Sequence, residues 1–168
     1  FSYQNSGAIG PYASLRYARL NEIILREANL QEVDLMGADL SESDLRRADL
    51  TGANLRWVNL TGANVSESDL RRADLSKADL RRADLRKADL SNVSLWKAKL
   101  NETVLRESKL RGSDLSEADL RRADLMGADL RKTNLEGSIF KDSIYNVKTQ
   151  WPEGFDPKAA GSKIVPGR

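Results

Sequence analysis

Carboxylates and guanidiniums supply most of the reactive side chains in this chain, and both recur on a fixed spacing. Asp34, Asp39, Asp44 and Asp49 follow one another every five residues, and Asp49, Asp69 and Asp89 stand twenty apart. A column of carboxylates could hold a hard cation such as Ca²⁺. The doublets Arg46-Arg47, Arg71-Arg72, Arg81-Arg82 and Arg121-Arg122 could contact phosphates. Trp57 and Trp96 are of the type that anchors protein partners. The 168 residues include no Cys and no His. Thiol and imidazole catalysis, disulfides and the usual zinc ligands are therefore excluded.

What positions these groups is the leucine register. From Leu15 to Leu135 every fifth residue is Leu, with Val65 the sole departure, and Phe140 and Tyr145 continue the beat. Two residues before each register position stands a short or β-branched residue. From Ala13 to Ser138 this column has 15 Ala, and its other 11 members are Ser, Thr, Val or Ile. A five-residue step scatters side chains around an α-helix and alternates them across a straight strand. Every leucine can point inward only if the chain turns a corner once per repeat. Four such sides close a square coil of 20 residues, and coils stack at about 4.8 Å, the spacing of neighbouring strands. The register positions from Leu15 to Phe140 make about six and a half coils, a rod roughly 31 Å long by that spacing. Each buried leucine contributes about 1.5–3 kcal/mol, so a continuous spine can hold one domain together despite a mean hydropathy of −0.54.

The recurring unit A-D/N-L-x-x, as in Ala48-Asp49-Leu50-Thr51-Gly52 and Ala73-Asp74-Leu75-Ser76-Lys77, resembles the pentapeptide-repeat family over residues 13–142. The resemblance implies an all-β fold, a right-handed quadrilateral β-helix. The tail from Gln150 to Pro157 is similar to tails that follow the last repeat in cyanobacterial members. The family's repeat is architectural, so it implies no catalytic residues and no cofactor. Some members protect DNA gyrase by presenting an acidic, duplex-like dimeric rod, which makes DNA mimicry of a type II topoisomerase substrate the alternative function.

Charge placement narrows these readings. Taking residues 20 apart as one side, the Leu15 side carries four basic and five acidic residues, the Leu20 side seven of each, the Leu25 side six of each, and the Leu30 side six basic and five acidic. The array sums to zero, and the net charge of +2 comes from residues 143–168. Nucleic-acid binding needs an uncompensated basic patch, and DNA mimicry an acidic one. Neither is expected here. Arg46, Arg47, Arg71, Arg72, Arg81, Arg82, Arg86 and Lys87 stand among the carboxylates and are expected to neutralise them across coils, which leaves a solvated, salt-bridged surface and no metal site. The sequons at Asn59, Asn64, Asn92 and Asn101 arise from repeat composition and carry no meaning.

One interruption stands out. Over four consecutive repeats the Asp/Asn position holds Ser94, Lys99, Val104 and Lys109, which makes a belt around the rod. Trp96 and Lys97 lie in the belt, and Trp57, Met36 and Tyr17 precede them on the Leu15 side. The expected function is a non-catalytic scaffold whose unidentified protein partner is held by Tyr17, Met36, Trp57, Trp96, Lys97, Lys99, Val104 and Lys109. The competing expectation is drift at outward positions, with the aromatics lying flat across neighbouring coils.

Both ends need covers. Residues 1–12, through Phe1, Tyr3, Ile9 and Tyr12, are expected to fold over the first coil. Residues 143–168 are expected to form a C-terminal cap and an irregular tail, mobile from Ser162 to Arg168. Phe140, Ile144, Tyr145, Trp151 and Phe155 cap the rod or join two rods end to end, so monomer and end-to-end dimer both stay open. No apolar run approaches the roughly 20 residues of a membrane span. The chain begins at Phe1. Loss of an export signal and a trimmed start both accommodate that, and the compartment stays open between periplasm or thylakoid lumen and cytoplasm.

Overall fold

The computed structural model describes residues 9–166. Its architecture follows from one hydrogen-bond rule repeated along the chain. The residue before each leucine pairs in parallel with the residue twenty further on: Asn29 with Asp49, Asp49 with Asp69, Asp69 with Asp89, Asp89 with Lys109 and Lys109 with Asp129. Leu50 N–H donates forward to the Asp69 carbonyl at 2.7 Å, while Asp49 N–H donates back to the Ala28 carbonyl at 2.9 Å. Each side of a coil is thus a very short extended segment between corners. Among the described residues no helix forms, and none is long and apolar enough to cross a membrane. Longer pairing occurs at the C-terminus, where β1 (Ile144–Tyr145) lies parallel to β2 (Lys163–Ile164).

The corner is a four-residue turn closed by a bond from the small residue of the next repeat to the leucine carbonyl, as in Ala78 N–H to Leu75 C=O at 3.0 Å. Its third residue has positive φ in every repeat, from Tyr12 at 64° to Asp142 at 62°. That is the requirement of a type II turn. The column contains Gly37, Gly52, Gly62, Gly112, Gly127 and Gly137, but its other members are Glu, Arg, Lys, Asn, Asp, Tyr and Trp. None is β-branched, the class for which this conformation is most costly.

The Asp/Asn preference has a local cause. Its Oδ1 accepts the N–H of the second turn residue, which has no other acceptor: Ser41 N–H to Asp39 at 3.0 Å, Thr51 to Asp49 at 3.0 Å, Arg86 to Asp84 at 3.0 Å. This is an Asx-turn.

Leucines from Leu30 to Leu130 are 0–1% exposed, and the alanines beside them are equally buried. Hydroxyls enter the inner column because the turn supplies an acceptor. Ser68 donates to the Val65 carbonyl at 2.6 Å and Thr133 to Leu130 at 2.6 Å, while Thr103 reaches Leu80 in the preceding coil at 2.7 Å. Burial without such a partner costs free energy, and among the described residues Ser43 Oγ is the buried hydroxyl left without one.

The last coil breaks the period. Asp129 pairs with Gln150, twenty-one residues on. Gly127 N–H there finds side-chain acceptors, Asn146 Oδ1 and Thr149 Oγ1, both at 3.1 Å. Trp151 and Phe155 then fold against the end of the spine. They stack on each other at 5.1 Å, and both pack on Phe140, at 5.6 and 5.3 Å. Tyr145 meets Trp151 edge-on at 5.5 Å.

Two expectations about the ends are corrected. Ser162 to Val165 does not trail away. Ser162 is buried with its hydroxyl 2.8 Å from that of Ser143, Lys163 and Ile164 extend the pairing, and Val165 N–H donates to Tyr145 C=O at 2.8 Å. Tyr12 does not fold over the first coil either. It occupies a corner at 76% exposure, and its N–H donates to Gln31 C=O at 2.9 Å, so the turn pattern already includes Pro11 and Tyr12. Ile9 packs against the core, whereas Phe1 and Tyr3 lie outside the described residues.

Candidate functional site

The 20-residue pairing sets Trp57, Lys77 and Lys97 one above the other at the corners of the Leu15 side, with Trp96 beside Lys97. The side chains interleave. The Arg56 guanidinium lies 5.2 Å from the Trp57 ring centroid, and Lys77 Nζ lies 5.4 Å from Trp57 and 5.1 Å from Trp96. Lys97 Nζ lies 4.7 Å from Trp96. Cation–π contacts of this kind are worth about 0.5–1 kcal/mol each at exposed sites. The ladder ends on Glu117, which accepts from Trp96 Nε1 at 3.3 Å and pairs with Lys97 at 3.1 Å. These donors, Lys97 first, hold the Glu117 carboxyl below its usual range.

The eight residues expected to form one site are only partly brought together. Trp57, Trp96 and Lys97 join through Lys77. Tyr17 stands apart, 65% exposed, with its ring across Gly37 of the next coil. Met36 is half-buried beside that glycine. Lys99, Val104 and Lys109 lie on the other three sides. Lys99 Nζ is 3.7 Å from Asp79 and Lys109 Nζ is 3.3 Å from Asp89, so the belt's cations offset carboxylates one coil back. Arg56, Lys77 and Glu117 were not among the expected site residues. Twenty-residue arithmetic places Lys77 between positions 57 and 97 and was the signal available for it.

The arginines are partly paired otherwise than expected. The first of each doublet turns onto the aspartate two residues earlier in its own repeat, as Arg71 to Asp69 at 2.6 Å and Arg81 to Asp79 at 2.7 Å, and Arg131 does the same to Asp129 at 2.6 Å. This geometry reaches both carboxylate oxygens, as at Asp69 with 2.8 and 2.6 Å. Pairing across coils is made, as expected, by Arg47 to Glu27, Arg82 to Glu102 and Lys87 to Glu107, and also by Arg26 to Asp44 and Arg122 to Glu102. The Arg46 guanidinium, joined by Arg26 and opposed by partial burial, brings Asp44 down to about 2. Arg71 likewise lowers Asp69, and Arg131 lowers Asp129. Among the described residues no group of three or more carboxylates is placed to hold a metal ion. A shallow groove between Arg26, Glu27, Arg46, Arg47, Ser66 and Glu67 is lined by these charged corners.

Comparison with known proteins places this architecture. The pentapeptide repeats family matches residues 13–52, 53–92, 88–125 and 105–142, in eight copies. Rfr23, a pentapeptide repeat protein from the cyanobacterium Cyanothece 51142, is 35% identical, with 55% of this chain and 63% of that one covered and a TM-score of 0.55. The chain thus spans under two thirds of that relative's length. HetL, a pentapeptide repeat protein involved in heterocyst differentiation regulation in Nostoc sp. strain PCC 7120, is 33% identical over 82% of this chain and 80% of its own, with a TM-score of 0.37. Trypsin-treated QnrB1, a plasmid-mediated fluoroquinolone resistance protein, is 19% identical over 76% of this chain and 77% of its own, with a TM-score of 0.56, a likeness of fold alone. No curated protein matches the chain. The five-residue register, the corner geometry and these matches lead to one conclusion: the chain belongs to the pentapeptide-repeat family.

Proposed function

We propose that this protein is a non-catalytic scaffold that binds another protein through the Leu15 side. The observation that carries this reading is the ladder of Arg56, Trp57, Lys77, Trp96 and Lys97, which puts two indoles and three cations on a rigid flat face. Trp57 keeps 43% of its surface exposed. Aromatic and arginine side chains held in place lose little entropy on binding, and they dominate interface energetics. Among the described residues the interior is filled with leucine and alanine and leaves no room for a substrate.

The test is capture of the native partner by immobilised protein. Trp57→Ala and Trp96→Ala should each abolish capture with circular dichroism unchanged, while Arg86→Ala on another side should leave it intact. Equal capture by all three variants would remove this face from consideration.

The finer form of the rod belongs to the same proposal. It is a right-handed quadrilateral β-helix of about six and a half coils, and Phe140, Ile144, Tyr145, Trp151 and Phe155 act as its C-terminal cap. The mutual packing of Phe140, Tyr145, Trp151 and Phe155 supports the cap over an end-to-end joint, while Ile144 is half-buried in β1 and continues the Asp124 column. Protection of a type II topoisomerase by DNA mimicry is the weaker reading, because the array's acidic residues are matched one for one by basic ones. A supercoiling assay with added protein decides that point.

A further inference from the structure

The charges cancel over the array but not along it. Residues 13–69 carry six basic and ten acidic side chains, whereas residues 70–142 carry seventeen basic and thirteen acidic ones. The rod therefore has an acidic half followed by a basic half, and the Leu30 side expresses this most completely.

Six levels stack on that side through the bridges from Asn29 to Asp129. Each level presents three outward residues. In order these are Asn29/Gln31/Glu32, Asp49/Thr51/Gly52, Asp69/Arg71/Arg72, Asp89/Ser91/Asn92, Lys109/Arg111/Gly112 and Asp129/Arg131/Lys132. Their net charges run −1, −1, +1, −1, +2, +1. Turned end over end, the series reads +1, +2, −1, +1, −1, −1, which opposes the original in sign at every level. Glu32 then faces Lys132, and Asp49 faces Lys109 and Arg111. The Arg71/Arg72 level faces that of Asp89.

The other sides lack this property. On the Leu15 side the Asp34 level would meet that of Asp114 and Glu117. On the Leu20 side the basic Arg81/Arg82 level would meet itself. On the Leu25 side the levels of Arg26/Glu27 and Arg106/Glu107 are neutral.

Lys109 keeps its pair with Asp89 at 3.3 Å, but four other residues of the contact have no such partner among the described residues. Among the described residues Glu32, Arg72, Arg111 and Lys132 form no ion pair, unlike Arg82, Arg122 and Glu102 on the Leu20 side. Gly52 and Gly112 fall on facing levels, and each is overlain by the corner residue one coil earlier, Gly52 by the Glu32 carboxylate and Gly112 by the Asn92 amide.

We propose that the Leu30 side is a self-recognition surface, on which a second copy of this chain docks antiparallel and side by side. The two-fold axis passes between the Asp69 and Asp89 levels. Such an isologous contact closes on itself and yields a dimer rather than a fibre. Because the attraction is between exposed charges, it is strong at low ionic strength and fades as salt is added.

The experiment uses sedimentation velocity and small-angle scattering on the whole chain at low and high salt. One variant reverses the acidic levels (Glu32→Lys with Asp49→Lys), and the other neutralises the Lys109 level and reverses the Asp129 level (Arg111→Glu with Lys132→Glu). Lys109 already occupies the aspartate column, and both Glu and Lys occupy the corner column, so the fold accommodates the exchanges, with circular dichroism as the check. The wild type should dimerise at low salt, with unchanged length and increased width. Each variant alone should lose about tenfold or more in association constant, and an equimolar mixture of the two should recover it. A wild type that stays monomeric at low salt, a dimer of doubled length, or variants that fail to pair when mixed would overturn the proposal.

Discussion

The corner column offers the sharpest stability prediction, because one stack contains the perturbation and its converse. Gly127 has φ of 71°, and a Cβ built there meets Glu107 Cγ at 3.4 Å, an ordinary contact. Gly127→Ala therefore adds backbone strain without a clash. A non-glycine residue in the left-handed region costs about 1–2 kcal/mol, offset by about 0.4–1 kcal/mol of unfolded-state entropy. The net loss should be about 1 kcal/mol, or roughly 2–4 °C in Tm for a chain of this size. Gly127→Val, with its β-branch, should lose more. One coil earlier Glu107 holds φ of 57° and a 4.0 Å pairing with Lys87 between exposed side chains. Glu107→Gly should thus be neutral to stabilising, by up to about 1 kcal/mol. Thermal and urea melts of the three variants give the order. A Gly127→Val protein as stable as wild type would refute the turn assignment.

Further outcomes follow from the spine, the surface and the cap. Leu80→Ala, at 0% exposure in mid-rod, should cost about 2–5 kcal/mol in urea unfolding. Lys109→Asp restores an unbroken carboxylate stack with Asp69, Asp89 and Asp129. Like charges there cost about 0.2–1 kcal/mol at low salt, set against the new Asx-turn bond that the Asp accepts from Arg111 N–H, so the variant should gain stability relative to wild type as salt is added. Trp151→Ala should raise amide hydrogen exchange in the last coil while mid-rod leucine amides stay protected, because repeats are stabilised by their neighbours. Asp44 sits at about 2 when folded against 3.8 unperturbed. A depressed carboxylate contributes stability that is fully present above the unfolded value and is lost as pH falls through the folded one. The wild-type Tm should therefore fall between pH 4 and 2, and Asp44→Asn should flatten that fall.

Much of the fold could be read in advance because the inner columns admit so few residue types. Leu every five residues with Ala two before it leaves the corner as the sole solution. The conformation of that corner was less visible, since Glu, Arg and Lys are ordinary surface residues in any backbone. The available signal was that all six glycines between residues 13 and 142 fall in one column, with no Val, Ile or Thr among their companions. The aspartate preference invited a charge argument, but its cause is the turn N–H that each Oδ1 accepts. Sorting charge by side hid its segregation along the rod. The Trp57–Lys77–Trp96 contact was implicit in the 20-residue period, but not which way each side chain leans. The return of Lys163 and Ile164 to the sheet lay beyond any periodic cue, because the extra residue before Gln150 breaks the register first.

The central claim is that each repeat presents two side chains to a dry spine and three to water. The chain lacks cysteine, so single cysteines report without background. Ala78→Cys, Asp79→Cys, Leu80→Cys, Arg81→Cys and Arg82→Cys would be treated in turn with a water-soluble thiol reagent. Positions 78 and 80 should resist labelling until the protein unfolds, while 79, 81 and 82 react at once. Labelling of position 80 as fast as position 79 in folded protein would contradict the inward register and the coil built on it.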